Sequence, residues 1–270
     1  MMSYVMNDGH EIPAMGYGTW RVRDGESEAL VIEALAVGYR HIDTAAIYEN
    51  EVGVGKGIAR AGIDREEIFV TTKLWSSDHD NPEGALAISL KKLRLEYVDL
   101  YLIHWPVPAR NLFPRVWDTF IKLRDKGMAT SIGVSNFNPD HLDALASSGV
   151  VPAVNQVEVH PEFANQEVVR ANAERGLLTE CYSPLGRGHY LTDPTLAEIA
   201  SHLGATSAQV VLAWHLAKGF LPLPKTVTPA RMQENFEAQK LSLSQDDIAA
   251  IDSLHQGPKI CGDPLTFDGL

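Results

Sequence analysis

Asp43, Lys73 and His104 each close a short apolar run, and Tyr48 follows the first of them by a few residues. Together these residue types make an acid–base device. A phenol has an unperturbed pKa near ~10 and is a sluggish acid at neutral pH. An adjacent ammonium favours the phenolate and lowers that value. Lys73 can supply the ammonium, and Asp43 the counter-charge that a lysine facing an apolar cavity needs. His104 offers a donor to a substrate oxygen, or a share in relaying the proton. The same four residues also fit a plainer arrangement, a buried Asp–Lys ion pair with a satisfied Tyr and His beside it.

A proton donor aimed at an oxygen suggests carbonyl reduction, which also needs a hydride source. The dinucleotide fingerprint G-x-G-x-x-G is absent: Gly16-Tyr17-Gly18-Thr19-Trp20-Arg21 lacks the third glycine. Glu51-Val52-Gly53-Val54-Gly55-Lys56-Gly57-Ile58 breaks both that spacing and the P-loop, and reads as a helix whose glycines permit close packing. A different anion site is visible from Leu223 to Asn235, where Lys225, Thr226 and Thr228 lead into a helix start at Pro229 with Arg231 in its first turn. A phosphate site at the N-terminus of a late helix has this form in barrels. The guanidinium adds bidentate capacity for a monoester such as the 2′-phosphate of NADPH. Ordinary helix capping with a solvated basic face is the competing reading of that stretch.

These residues need a scaffold that brings strand ends together. Strand-length runs occur at Ala14–Thr19, Arg40–Asp43, Ile68–Lys73, Val98–His104, Ser131–Ser135, Ala153–Glu158, Leu177–Tyr182 and Phe220–Pro224. Between them lie amphipathic stretches of helical period, such as Ala29 to Val37 and Val116 to Arg124. Asn81-Pro82, Asn138-Pro139 and Thr228-Pro229 pair a capping side chain with proline at the first helical position, while Lys126-Gly127 and Arg175-Gly176 mark helix stops. Strand then helix, repeated about eight times in about 250 residues, predicts a (β/α)8 barrel. A doubly wound sheet shares the same alternation. Asn7-Asp8-Gly9 predicts a hairpin ahead of the first barrel strand.

The 270 residues are 45% hydrophobic and 21% charged, with no linker or low-complexity tract, which predicts one globular domain over 1–270. The net charge of −12 makes nucleic acid a poor partner. Two cysteines, Cys181 and Cys261, form neither a disulfide framework nor a zinc ligand spacing. The N-terminus lacks a basic and apolar leader pattern, and no run of about 18 apolar residues occurs, so a cytoplasmic protein without a membrane span is expected. No exposed apolar heptad is evident, so a monomer is expected.

The stretches Gly38 to Glu51, Leu102-Ile103-His104-Trp105-Pro106, Gly133-Val134-Ser135-Asn136-Phe137, Asn155-Gln156-Val157-Glu158, Tyr182-Ser183-Pro184-Leu185-Gly186 and Leu223 to Asn235 occur in the order found in one family. Over nearly the whole chain the sequence resembles the aldo-keto reductases, in particular short-loop bacterial members similar to diketogluconate reductases. The resemblance implies a TIM barrel with the hairpin closing its bottom, and NADPH/NADP+ bound across its mouth to reduce a carbonyl substrate. That substrate would be a small dicarbonyl, a keto-sugar acid or an aromatic aldehyde. It implies Tyr48 as general acid, Lys73 and Asp43 lowering its pKa, and His104 orienting the carbonyl. Ser135, Asn136 and Gln156 would hold the nicotinamide carboxamide, and Tyr182 would stack on the ring. Lys225, Thr226 and Arg231 would take the 2′-phosphate, with Ser183, Leu185, Val227, Glu234 and Asn235 around the rest of the nucleotide. Trp20, Trp75 and Trp105 would wall the substrate pocket, while Trp117 and Trp214 pack in the core. Arg187 stands where some members carry an acidic cofactor latch, and becomes a candidate for the pyrophosphate. His160 reads as structural, and Cys261 as a surface thiol that can reach the pocket. Two other functions compete: an NADPH-binding redox sensor with little turnover, and a metal-dependent hydrolase built on His41, Asp43, His104 and His160.

Overall fold

In the computed structural model, which describes residues 2–255, 257–267 and Gly269, eight parallel strands run in sequence order around one sheet. An antiparallel hairpin of β1 (Ser3–Val5) and β2 (Glu11–Pro13) precedes them. The sheet comprises β3 (Tyr17–Gly18), β4 (His41–Asp43), β5 (Phe69–Leu74), β6 (Val98–Ile103), β7 (Ala129–Ser135), β8 (Val154–Glu158), β9 (Leu178–Tyr182) and β10 (Leu221–Pro222). The helices are α1 (Asp24–Val37), α2 (Glu51–Arg60), α3 (Pro82–Leu93), α4 (Phe113–Asp125), α5 (Pro139–Asp143), α6 (Gln166–Glu174), α7 (Pro194–Leu203), α8 (Ser207–Ala217), α9 (Pro229–Glu237) and α10 (Gln245–Asp252). The sheet closes on itself: Gly16 N–H donates to Pro222 O at 3.2 Å and Gly18 N–H to Pro224 O at 3.1 Å. This is a (β/α)8 barrel, and the doubly wound alternative falls.

Strand alternation sorts the side chains into two sets. Ile42, Val70, Tyr101, Ile103, Ile132 and Val134 pack outward with helix residues such as Val31, Leu35, Trp117 and Phe120. Leu100, Leu102, Val154, Leu221 and Leu223 instead cluster with Met6 and Ile12 of the hairpin region. Asn7 Nδ2 donates to Pro152 O and the Tyr4 hydroxyl to Phe220 O, both just ahead of barrel strands, so the hairpin plugs the end away from the site. Trp117 and Trp214 are wholly buried.

The glycines of α2 allow close approach to its neighbours. A Cβ on Gly53 would sit 2.1 Å from Ser27 Oγ of α1, and one on Gly55 would sit 2.2 Å from Leu93 O of α3. Among the predicted caps, Asn81 accepts from Gly84 N–H and Asn138 N–H donates to His141 Nδ1. Thr228 departs from expectation, because its side chain makes no capping bond. The Thr226 hydroxyl takes the Thr228 N–H instead, at 3.1 Å.

Candidate active site

Asp43 ends β4 and Lys73 lies one residue from the end of β5, while His104 follows β6 directly. All three face one cavity region at the carboxyl ends of the strands. Lys73 is wholly buried, and its Nζ donates to Asp43 Oδ1 at 2.7 Å and to Thr44 O at 2.8 Å. Burial disfavours the ammonium, but Asp43 and then Tyr48 outweigh that, and the lysine is held above its ordinary value. It is a fixed positive charge.

Tyr48 ends a single 3-10 turn, Ala46–Tyr48, and Lys73 Nζ stands 5.1 Å from its ring centroid. Asn50 fixes this loop. Its Nδ2 donates to Thr19 O and Val22 O, while its Oδ1 accepts from the Thr44 hydroxyl, which joins the loops after β3 and β4. For the phenol itself, burial is the largest influence and raises the pKa, Lys73 lowers it, and Asp43 raises it again. The net value lies above that of free tyrosine, not below it as the sequence reading has it. Lys73 therefore works against desolvation that the sequence does not reveal. The His104 ring meets those of Tyr48 and Trp75 edge-on, at 5.8 and 5.2 Å between centroids. Burial first, and the Lys73 charge second, hold its pKa well below the ordinary value, so the imidazole is neutral. A neutral ring keeps one N–H to donate.

Asp43, Tyr48 and His104 line a cavity of about 660 Å³ that also takes in Trp20, Trp75, Trp105, Asn136, Gln156, Tyr182, Ser183, Leu185 and Lys225, with Lys73 buried behind Asp43. Gln156 Nε2 donates to Asp43 Oδ2 and to Glu180 Oε2, both at 2.9 Å. Both amide hydrogens are thus committed, and Oε1 remains as an acceptor. Ser135 donates to Gln156 O at 2.8 Å. Asn136, at φ +64°, donates to His104 O and accepts the Tyr182 hydroxyl at 2.7 Å. The remaining residues read as cofactor contacts lie outside the cavity lining. Thr226 and Asn235 are buried, Val227 and Arg231 exposed, and the Glu234 carboxylate accepts the Thr206 hydroxyl.

The C-terminal segment closes one side in a way the sequence reading misses. Phe267 stacks on Trp105 at 4.1 Å, and Ile260, Cys261 and Gly262 join the lining. Glu158, the last residue of β8, anchors this segment by accepting from Ile260 N–H at 2.7 Å and Cys261 N–H at 2.9 Å. Burial alone would raise its pKa, but those bonds, His160 and Lys259 bring it down to about 2. Cys261 is half-buried, with Arg187 Nη2 3.4 Å from its sulfur, and not a loose surface thiol. Arg21 and Arg187 both lie over the Trp20 ring, at 4.2 and 5.2 Å. The tail residues Asp268 and Leu270 lie outside the described residues. His41 bonds Thr71 and His160 bonds Glu158, so these imidazoles do not converge. Among the described residues no His, Cys, Asp and Glu cluster could hold a metal.

The profile of the aldo/keto reductase family matches residues 14–256. Methylglyoxal reductase DkgA of Escherichia coli is 43% identical over 267 residues, covering 98% of this chain and 97% of that protein. The crystal structure of an aldo/keto reductase from Brucella melitensis superposes with a TM-score of 0.91 at 48% identity, over 94% of this chain and 97% of that one. A variant of Gox0644 in complex with NADPH superposes with a TM-score of 0.95 at 39% identity, over 98% of each chain.

Proposed function

Because the chain belongs to the aldo/keto reductase family and so reduces carbonyl groups with NADPH, we propose that Tyr48 is the acid that protonates the carbonyl oxygen. The observation that carries this reading is the buried Lys73–Asp43 pair at 2.7 Å directly beside the Tyr48 ring. It leaves a positive charge next to the phenol and keeps that charge on the lysine at any ordinary pH. Tyr48 releases its proton toward the substrate oxygen as negative charge builds there, and the Lys73 ammonium stabilises the phenolate left behind. His104, held neutral, donates its remaining N–H to the same oxygen and fixes which way the carbonyl faces. Trp20, Trp75, Trp105 and Phe267 exclude water from the carbonyl carbon. The hydride that this carbon accepts would come from NADPH held in the cavity.

The residues fit that cofactor. The charged side chains in the described lining are Arg21, Asp43, Arg187 and Lys225, and the one carboxylate among them is neutralised by Lys73. The mouth is therefore net positive, as a phosphate-bearing ligand needs. Gln156, with both amide hydrogens engaged below, would offer its oxygen to the nicotinamide carboxamide, with Ser135 and Asn136 completing that subsite and Tyr182 held against the ring. Ser183 and Leu185 would line the nucleotide path, with Val227, Glu234 and Asn235 beyond it. Lys225, Thr226 and Arg231 would receive the 2′-phosphate.

For substrate we propose α-dicarbonyls, with keto-sugar acids and aromatic aldehydes also admitted by the aromatic walls. The relative named methylglyoxal reductase supports the first class. The site's groups come from strands spread along the whole barrel, from Asp43 to Lys225, which supports a single domain over 1–270, and we take the working unit to be a monomer. Two free cysteines support work in a reducing compartment such as the cytoplasm. Loss of NADPH absorbance with a carbonyl panel, run beside Tyr48→Phe, tests the reading. Turnover should vanish in the variant while NADPH still quenches tryptophan fluorescence with the same affinity. Turnover that survives, or binding lost along with it, overturns the acid assignment.

A further inference from the structure

Below the catalytic layer the barrel holds a second carboxyl that the reaction as described does not use. Glu180, in β9 two residues before Tyr182, is wholly buried. Its Oε2 accepts from the same Gln156 nitrogen that bonds Asp43. Its Oε1 has no hydrogen-bond partner. The nearest basic atom is His41 Nε2, 3.9 Å away, and that nitrogen already sits 2.9 Å from the Thr71 hydroxyl. The titratable groups around Glu180 are His41 and Asp43 on β4, Lys73 on β5 and Cys181 on its own strand. Burial, then Lys73, bring His41 down to about 3, so it supplies no charge. Two carboxyls thus share one amide and one ammonium, and the ammonium is bonded to Asp43. A wholly buried carboxyl with one oxygen unpartnered by the protein favours its protonated form.

We propose that Glu180 is a positioning residue that is protonated in the working enzyme, and that its ionisation slows proton delivery by Tyr48. No proton passes from Glu180 to substrate; it exchanges with solvent. With Glu180 neutral, Lys73 and Asp43 cancel, and loss of the Tyr48 proton leaves the cluster at one negative charge. With Glu180 ionised the same step leaves it at two. Burial and the Asp43 charge push Glu180 up to about 8. Tyr48 and Lys73 sit above their ordinary values and His104 well below its own, so Glu180 is the member of this cluster that titrates near neutral pH. Its raised value means that the favourable neutral form prevails below about 8 and is lost as pH rises through it.

The proposal rests on Tyr48 as the acid, and the test separates the two. With an uncharged α-dicarbonyl, kcat/KM of the wild-type chain should fall about tenfold as pH rises through this range, the effect of about one unit of coupling between two groups. Glu180→Gln, a permanently neutral isostere, should show a flat profile over the same interval. Infrared difference spectra of the chain without NADPH supply the second reading. A protonated-carboxyl band should disappear with a midpoint near 8 and be missing from Glu180→Gln. If that variant fails to fold, the wild-type titration still decides. Superimposable profiles, or a wild-type carboxyl band that does not titrate, overturn the Glu180 proposal. Turnover surviving in Tyr48→Phe overturns the acid assignment on which it stands.

Discussion

Replacing Lys73 by methionine removes one positive charge from the centre of the site and keeps most of the side-chain volume. Two consequences follow, and they can be measured apart. The charge lies 5.1 Å from the Tyr48 ring centroid. At an effective dielectric of about 20 a unit charge at that distance is worth about 3 kcal/mol. That corresponds to about two units in the phenol pKa. Since the proton is only partly transferred in the transition state, kcat should fall by about one to two orders of magnitude. NADPH affinity, read by fluorescence quenching, should fall less than kcat, because Lys73 is wholly buried and does not line the cavity, so it acts on the cofactor only through the charge it cancels on Asp43. The second consequence is structural. Asp43 loses its ion-pair partner in a buried position, where breaking such a pair costs about 3–5 kcal/mol. Adding Asp43→Asn removes the stranded charge, so the double variant should recover much of the thermal stability without recovering the rate. A double variant that regains kcat together with stability would mean that Lys73 only holds the fold. A single variant within about threefold of wild type would refute the electrostatic argument outright.

Arg231→Ala should weaken NADPH far more than NADH, because only the former carries the 2′-phosphate, and equal loss for both in a binding titration removes Arg231 from that subsite. Glu158→Ala should free the C-terminal segment by stranding the Ile260 and Cys261 amides. The substrate KM should rise, and stability should drop by about 1–3 kcal/mol. The pH sign follows from a depressed folded pKa of about 2. The Glu158 contribution is fully present above the ordinary carboxylate range and is lost as pH falls toward 2, so the stability gap between wild type and Glu158→Ala, followed by urea unfolding, should narrow on acidification.

The strand ends were legible because barrel geometry makes every strand terminus a candidate, and Asp43, Lys73 and His104 are ionisable groups at three consecutive ones. The packing role of the α2 glycines was legible for a similar reason, since their spacing fits helix contact better than any phosphate loop. The Tyr48 environment was not. A sequence shows that a lysine is available but not that the phenol loses its water, and here desolvation outweighs the charge. The closing segment was hidden because Ile260 to Phe267 has no period, and its anchor Glu158 reads as one more strand residue. Phe267 was the available signal, an aromatic in an otherwise small and polar tail. Glu180 could have been found by counting two residues back from Tyr182, since alternation points both into the barrel.

The barrel's closing seam carries a mechanical consequence. Along it β10 and the residues just after it offer Pro222 and Pro224 to the first barrel strand, so they accept bonds from Gly16 and Gly18 but have no N–H to give in return at those positions. The Tyr17 hydroxyl, bonded to Thr226 O at 2.7 Å, adds one side-chain tie. Every other junction in the sheet is a paired parallel ladder, whereas this one is held by these few bonds, which makes it the least tightly laced line and the place where the cylinder should part first under strain. Gly18 and Lys225, on its two sides, both line the cofactor cavity. A nucleotide lying there bridges the break like a staple, so hydrogen exchange at the Gly16 and Gly18 amides should slow when the cavity is filled.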